Sequence, residues 1–252
     1  RLRDVWRFYA QTFPATVRRE LWMIVAAAAL MLGGAAFGWL GMALDPDAAP
    51  YLVPEQHLTL DPDRRVAEEA AGDVASVGTQ AEFSTFLFTH NIQVSFLAFA
   101  LGLTAGLGTG VVLFLNGVML GSLAQVYAAR GHAAWFWAWI LPHGIPELTA
   151  IFLAGAAGLI LGRALLAPRG LPRRVALRKE SKIALHLVVG TLPILVVAGL
   201  IEGTISQIHP PQLPVSLKIG FALAVGAALY AWLGSGWFGA RDERTVASVR
   251  RD

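Results

Sequence analysis

Cysteine is absent from the 252 residues, which excludes disulfides, thiolate metal sites and a cysteine nucleophile. Charge is scarce as well: 15% of residues are Asp, Glu, Lys or Arg, while 56% are hydrophobic. A soluble domain carries about 25% charged and roughly 45–50% apolar residues, and its apolar positions recur at helix or strand spacing. Here they form long uninterrupted runs, and that surplus belongs in lipid. Also missing are a phosphate-cradling Walker loop, a nucleophile elbow around Ser84, Ser95 or Ser122, and a three-ligand zinc pattern. No enzyme, cofactor or metal is therefore expected. The net charge of +3 does not point to nucleic acid, because the cations sit beside apolar runs, where Lys and Arg fix membrane orientation. Arg stands first rather than Met, the pattern of a processed or trimmed chain, and no cleavable signal precedes the first apolar run.

What is present reads as an all-α polytopic transmembrane helical bundle of about six crossings. Residues 1–20 interleave Arg1, Arg3, Arg7, Arg18 and Arg19 with Val5, Trp6, Phe8 and Phe13, a basic amphipathic stretch suited to a membrane surface. Residues 21–240 form the integral membrane domain. Its first crossing is Leu21 to Leu44, uncharged and longer than the ~20 residues a bilayer requires. The loop 45–82 carries nine carboxylates against Arg64 and Arg65; its poverty in cations places it outside the cell, and its acidity reads as a solvated surface.

Phe83 to Ala129 is too long for one crossing and suits two, divided at Thr104 to Gly110, where glycines permit a tight turn; a single kinked helix followed by a re-entrant piece, which would make four crossings in all, is the alternative. Trp135, Phe136, Trp137 and Trp139 then read as an aromatic anchor at headgroup level. Pro142 is expected to start the next element, with Ile145 to Leu161 crossing inward. The loop 162–182 sets Arg163, Arg169, Arg173, Arg174, Arg178, Lys179 and Lys182 against Glu180 alone, the clearest cytoplasmic marker in the chain. Ile183 to Ile201 and Val215 to Phe238 complete the count. Between them lies an outer loop with Pro210, Pro211 and Pro214, and a cytoplasmic tail follows at 241–252. Both termini are thus expected in the cytoplasm.

An ionisable group at the bilayer centre costs roughly 2.5–3.5 kcal/mol on insertion scales, so each one needs a partner or a purpose. His143 and Glu147 are four residues apart and share a helix face. Topology puts Asn91 at the start of the second crossing, Glu202 at the end of the fifth and Lys218 early in the sixth, all at one outer level. A cluster of Asn91, His143, Glu147, Glu202 and Lys218 would satisfy every charge by mutual pairing. It reads either as a lock holding helices in register or as a site for a proton, an ion or a lipid headgroup. Asn116-Gly117, with Gly121 four residues on, reads as a small-residue helix contact in which Asn bonds a neighbour. Such small faces also allow a homodimer.

Several of these residues form a recognisable set. Asn91 precedes Val94 to Ala100; Gly106 to Gly110 and Leu115-Asn116-Gly117 follow; then come Pro142-His143-Gly144 with Glu147-Leu148, and Ala154 to Leu159 before the basic loop. Together they resemble the stage II sporulation protein M (SpoIIM-like) family of integral membrane proteins over about Phe83 to Leu200. The chain departs from that pattern at His90, where members carry a second Asn, and at Pro146, where an aromatic residue is common. The resemblance implies a multi-pass protein of a bacterial or archaeal plasma membrane, whose namesake acts with peptidoglycan-degrading partners during engulfment in spore formers. The expected role is a non-enzymatic scaffold or complex subunit working with other membrane or envelope proteins. A transporter or channel subunit built on the outer polar cluster is the alternative.

Overall fold

The computed structural model describes residues 2–53, 61–70, 77–168, 170–208 and 212–235, and among these every regular element is helical. The amphipathic stretch folds as α1 (Leu2–Arg7), a π turn (Phe8–Thr12) and α2 (Phe13–Arg19). Pro14 has no N–H to donate, and the backbone widens just before it. Only part of this segment is a surface strap. Leu2, Val5 and Trp6 are exposed, whereas Phe13, Thr16 and Val17 are buried. The Tyr9 hydroxyl donates to the Val189 carbonyl (3.1 Å), and Trp232 Nε1 donates to the Tyr9 carbonyl (2.9 Å). Phe13 fills a notch at Gly190, where an added Cβ would fall 2.0 Å from its ring.

Among the described residues the remaining α-helices are α3 (Leu21–Leu44), α4 (Ala49–Leu52), α5 (Pro62–Ala70), α6 (Val77–Ala100), α7 (Leu107–Ala129), α8 (Ala133–Leu166), α9 (Arg173–Glu202) and α10 (Val215–Gly234). Five of them, α3 and α7 to α10, are long and apolar enough to cross a membrane. Between α6 and α7 the chain tightens over Leu101–Leu103, and Ala105 (φ 58°) and Gly106 (φ 83°) turn it left-handed. That conformation is free for glycine and costs an alanine roughly 1–2 kcal/mol.

Several boundaries differ from the sequence expectation. α6 starts at Val77, inside the loop 45–82, which moves Asn91 from the start of that helix to its middle. α8 starts at Ala133 and runs straight through Pro142 and Pro146. Membrane bundles tolerate interior prolines because neighbouring helices and local side chains re-satisfy the freed carbonyls. The aromatic residues consequently lie on the first turns of α8, where Phe136 and Trp139 are buried against Tyr127 and Met42, and Trp135 and Trp137 are partly buried beside them. Most cations of the 162–182 segment are helical, since α9 begins at Arg173. The tail 241–252, Arg169, Pro210 and Pro211 fall outside the described residues.

α8 is the hub, packing against α3, α6, α7, α9 and α10. Its 34 residues reach about 51 Å at 1.5 Å each. Of its apolar stretch 72% is buried, against 17% for α10, which marks one as the axis and the other as a rim helix. Glycines set the closest approach. Gly34 and Gly38 of α3 meet Phe114 and Val118 of α7, while Gly117 and Gly121 meet Met31 and Ala35, and a Cβ on any of the four would fall 1.9–2.2 Å from a backbone carbonyl oxygen. At the end of the bundle that carries α2, Arg163 of α8 donates to Glu20 Oε2 (2.9 Å) and Glu180 Oε2 (2.5 Å), and Arg19 pairs with the other Glu20 oxygen (3.3 Å). One guanidinium therefore ties the α2–α3 junction to α8 and α9.

Candidate functional site

His143 and Glu147 stand one turn apart on α8. α6 contributes Asn91, α9 ends on Glu202, and the first turn of α10 carries Lys218. The structure brings all five into the bundle interior, and His143, Glu147, Glu202 and Lys218 are each at most 4% exposed. Asn91 Nδ2 donates to Glu147 Oε2 at 2.6 Å. Glu202 lies close enough to Glu147, and Lys218 to His143, for their charges to interact. Burial in a low dielectric makes those interactions far stronger than in water.

A sixth member was not legible in the sequence. Ser206 sits in the short turn Ile205–Gln207 after α9. Its hydroxyl meets His143 Nδ1 at 2.8 Å, and its carbonyl accepts from Lys218 Nζ at 3.0 Å. Gln207 Nε2 donates to the Glu202 carbonyl at 3.2 Å. A lone serine in a polar turn has no periodicity and no motif. Its one clue is its position four residues after a carboxylate that must be buried.

Pairing is incomplete, contrary to the mutual satisfaction expected of this cluster. Both Glu202 carboxylate oxygens and Glu147 Oε1 are buried with no hydrogen-bond partner among the described residues. Asn91 reaches only one Glu147 oxygen, and the Lys218 ammonium donates to a backbone carbonyl. Asn116 likewise differs from expectation: its Nδ2 is buried without a partner among the described residues, while the neighbouring Gly117 makes the contact with α3. Among the described residues no three His, Asp or Glu side chains are grouped to hold a metal ion. Asn91, Asn116, His143 and Glu147 do share a pocket of about 100 Å3 whose other walls include Met31, Leu120 and Trp139.

The loop 45–82 is not simply a solvated surface. α5 is latched onto the turn between α7 and α8, where Arg130 bonds Asp61 and Asp63, and His132 Nε2 meets Asp63 Oδ1 at 2.7 Å. The Arg65 guanidinium lies 4.3 Å over the Trp139 ring, a cation–π contact, and Trp139 in turn meets the His143 imidazole at 6.5 Å. The latch is expected to respond to pH. The hydrogen bond to His132 and then the bond and charge of Arg130 hold the Asp63 carboxyl below its ordinary range. A depressed carboxyl stabilises docking above the free Asp value of about 3.9, and that contribution is lost as pH falls through the docked value. Spin labels at Ala67 of α5 and Ala134 of α8 should therefore separate below about pH 4. Asp63→Asn should separate them at neutral pH and flatten the profile; a distance that stays pH-dependent in this variant would place the titrating group elsewhere.

A family model described as stage II sporulation protein M matches residues 27–207. No curated protein and no solved structure matches the chain. The matched segment contains Asn91, His143, Glu147, Glu202 and Ser206, and it leaves Lys218 with α10 outside.

Proposed function

Because the chain belongs to the stage II sporulation protein M family, we propose that it is a six-crossing plasma-membrane protein, both termini cytoplasmic, whose buried carboxylates bind a small cation or proton as part of a transport machine. The incomplete pairing of Glu147 and Glu202 carries this reading. A lock between helices needs each charge matched, since an unmatched charge in the bundle is pure cost. Among the described residues this cluster holds two carboxylates and one ammonium, that of Lys218, so a proton or a small cation on the acids would relieve the mismatch. Driving force would come from a gradient or a partner, as no nucleotide-binding loop is present in the sequence.

A second observation favours a role as scaffold or complex subunit. The latched α5 presents an acidic surface on one end of the bundle, with Asp61 and Asp63 about half exposed, where an envelope protein could dock. The two readings separate in proteoliposomes. Full-length protein with an internal pH dye, under an imposed proton, Na+ or K+ gradient, should show flux above empty vesicles, and Glu202→Gln should fold normally and abolish it. Wild-type vesicles no leakier than empty ones, or a Glu202→Gln protein as active as wild type, would reject the transport reading and leave the scaffold.

A further inference from the structure

The pocket beside Glu147 lies between α3, α6, α7 and α8, and its chemistry is narrower than that of the cluster behind it. Glu147 is the one carboxylate among its lining residues and no Lys or Arg lines it; His90, Asn91, Asn116 and His143 are its other polar walls, and the rest are Met31, Leu120, Trp139 and other apolar side chains. That sign of charge excludes an anion. The apolar walls favour an ion with an alkyl body over one that must keep a full water shell.

We propose that this pocket binds a small organic cation, a short-chain primary amine in its ammonium form, with the ammonium on Glu147 and the alkyl body against Met31, Leu120 and Trp139. The carboxylate is ready for it: Asn91 holds Oε2 at 2.6 Å and so fixes the group's orientation, while Oε1 is left without a hydrogen-bond partner among the described residues. Trp139, which already carries the Arg65 guanidinium on its ring, contributes apolar wall to the pocket. Size narrows the class further. At about 100 Å3 the pocket is smaller than the ~150 Å3 cavity that admits benzene, which limits the ligand to about four or five non-hydrogen atoms. Asn116, whose Nδ2 also lacks a partner among the described residues, would accept a ligand carrying a hydroxyl in place of a terminal methyl.

This inference rests on the reading of the cluster as a binding site, and it is tested by binding and not by flux. Full-length protein in lipid nanodiscs is titrated with n-propylammonium chloride, its neutral isostere 1-propanol, propionate, and sodium chloride at matched ionic strength, following heat of binding and thermal stability. Saturable binding of propylammonium at least tenfold tighter than propanol is expected, with no response to propionate and a tenfold or greater loss in Glu147→Gln. Equal responses to propylammonium and sodium chloride, or undiminished binding in Glu147→Gln, would overturn it. Should Glu147→Gln fail to fold, Leu120→Trp keeps the carboxylate and fills the pocket: it should bind no propylammonium, and unchanged affinity would likewise overturn the proposal. Binding without flux in the wild type would remove the transport reading and leave the amine site. Flux without binding would do the reverse.

Discussion

Gly117→Ala should cost the bundle more than the ~1–3 kcal/mol typical of an overpacked core, and Gly121→Ala should do the same. The added methyl would lie 1.9 Å from the Met31 carbonyl oxygen in the first case and 1.9 Å from that of Ala35 in the second. Ordinary contact requires about 1.5 Å more. No side chain can swing aside, because the obstacle is the backbone of α3. The two helices would have to part along their length, and α7 would then lose its close packing at Gly34 and Gly38 too. In lipid this matters more than in water, since helix association there depends on close van der Waals packing and not on the expulsion of solvent. Gly33→Ala is the control. It sits on α3, next to Gly34, with nothing within 4 Å of an added Cβ, so it should leave stability unchanged or raise it slightly. Unfolding in a denaturing-detergent titration measures all three; a Gly117→Ala protein as stable as Gly33→Ala would mean that α3 and α7 do not meet as described.

That contact shows what the sequence could convey about the fold. Uncharged length located α3 to the residue and the glycines at 106–110 located the turn after α6, because both signals are local: a bilayer sets the length, and a left-handed turn calls for glycine. Asn116-Gly117 and Gly121 pointed to a helix contact without naming its partner, which depends on which helices become neighbours. The prolines misled for a similar reason. Pro142 breaks a helix in water, but on the central helix of a bundle its freed carbonyl has neighbours, so α8 continues through it. The Trp-rich run reads in the sequence as an interfacial anchor; in the fold α5 supplies Arg65 to cover it, and nothing in the run itself announces that cover.

The polar site was legible to the extent that charge in lipid is rare. Each of His143, Glu147, Glu202 and Lys218 stands out from an apolar background, and topology alone suggested one level for them. Their pairing was not legible. Which oxygen Asn91 reaches, and that Lys218 bonds the Ser206 carbonyl, follow from rotamers and from the path of the turn after Glu202. The same holds at the end of the bundle that carries α2: in the sequence Arg163 and Glu180 belong to a basic loop and Glu20 to a surface segment, and nothing local shows that they meet.

Arg163→Met should therefore destabilise the protein by about 3–5 kcal/mol, the cost of breaking a buried ion pair from one side. The guanidinium is the shared donor of two carboxylates on different elements, Glu20 at 2.9 Å and Glu180 at 2.5 Å, whose side chains are only 5% and 13% exposed. Methionine fits the space of the stem but leaves both acids facing each other across an apolar side chain, with Arg19 still able to hold one Glu20 oxygen. Arg163→Lys should recover part of the loss and no more, because a single ammonium cannot present the parallel donors that a guanidinium gives two separate partners. Neutralising the acids makes the test decisive. Arg163→Met combined with Glu20→Gln and Glu180→Gln removes the stranded charges and should return most of the stability, as replacing a whole buried ionic group is often nearly neutral. If the triple variant is no better than Arg163→Met, the loss comes from packing of the arginine stem. The network would then be a consequence of how α2, α8 and α9 meet, not a cause of it.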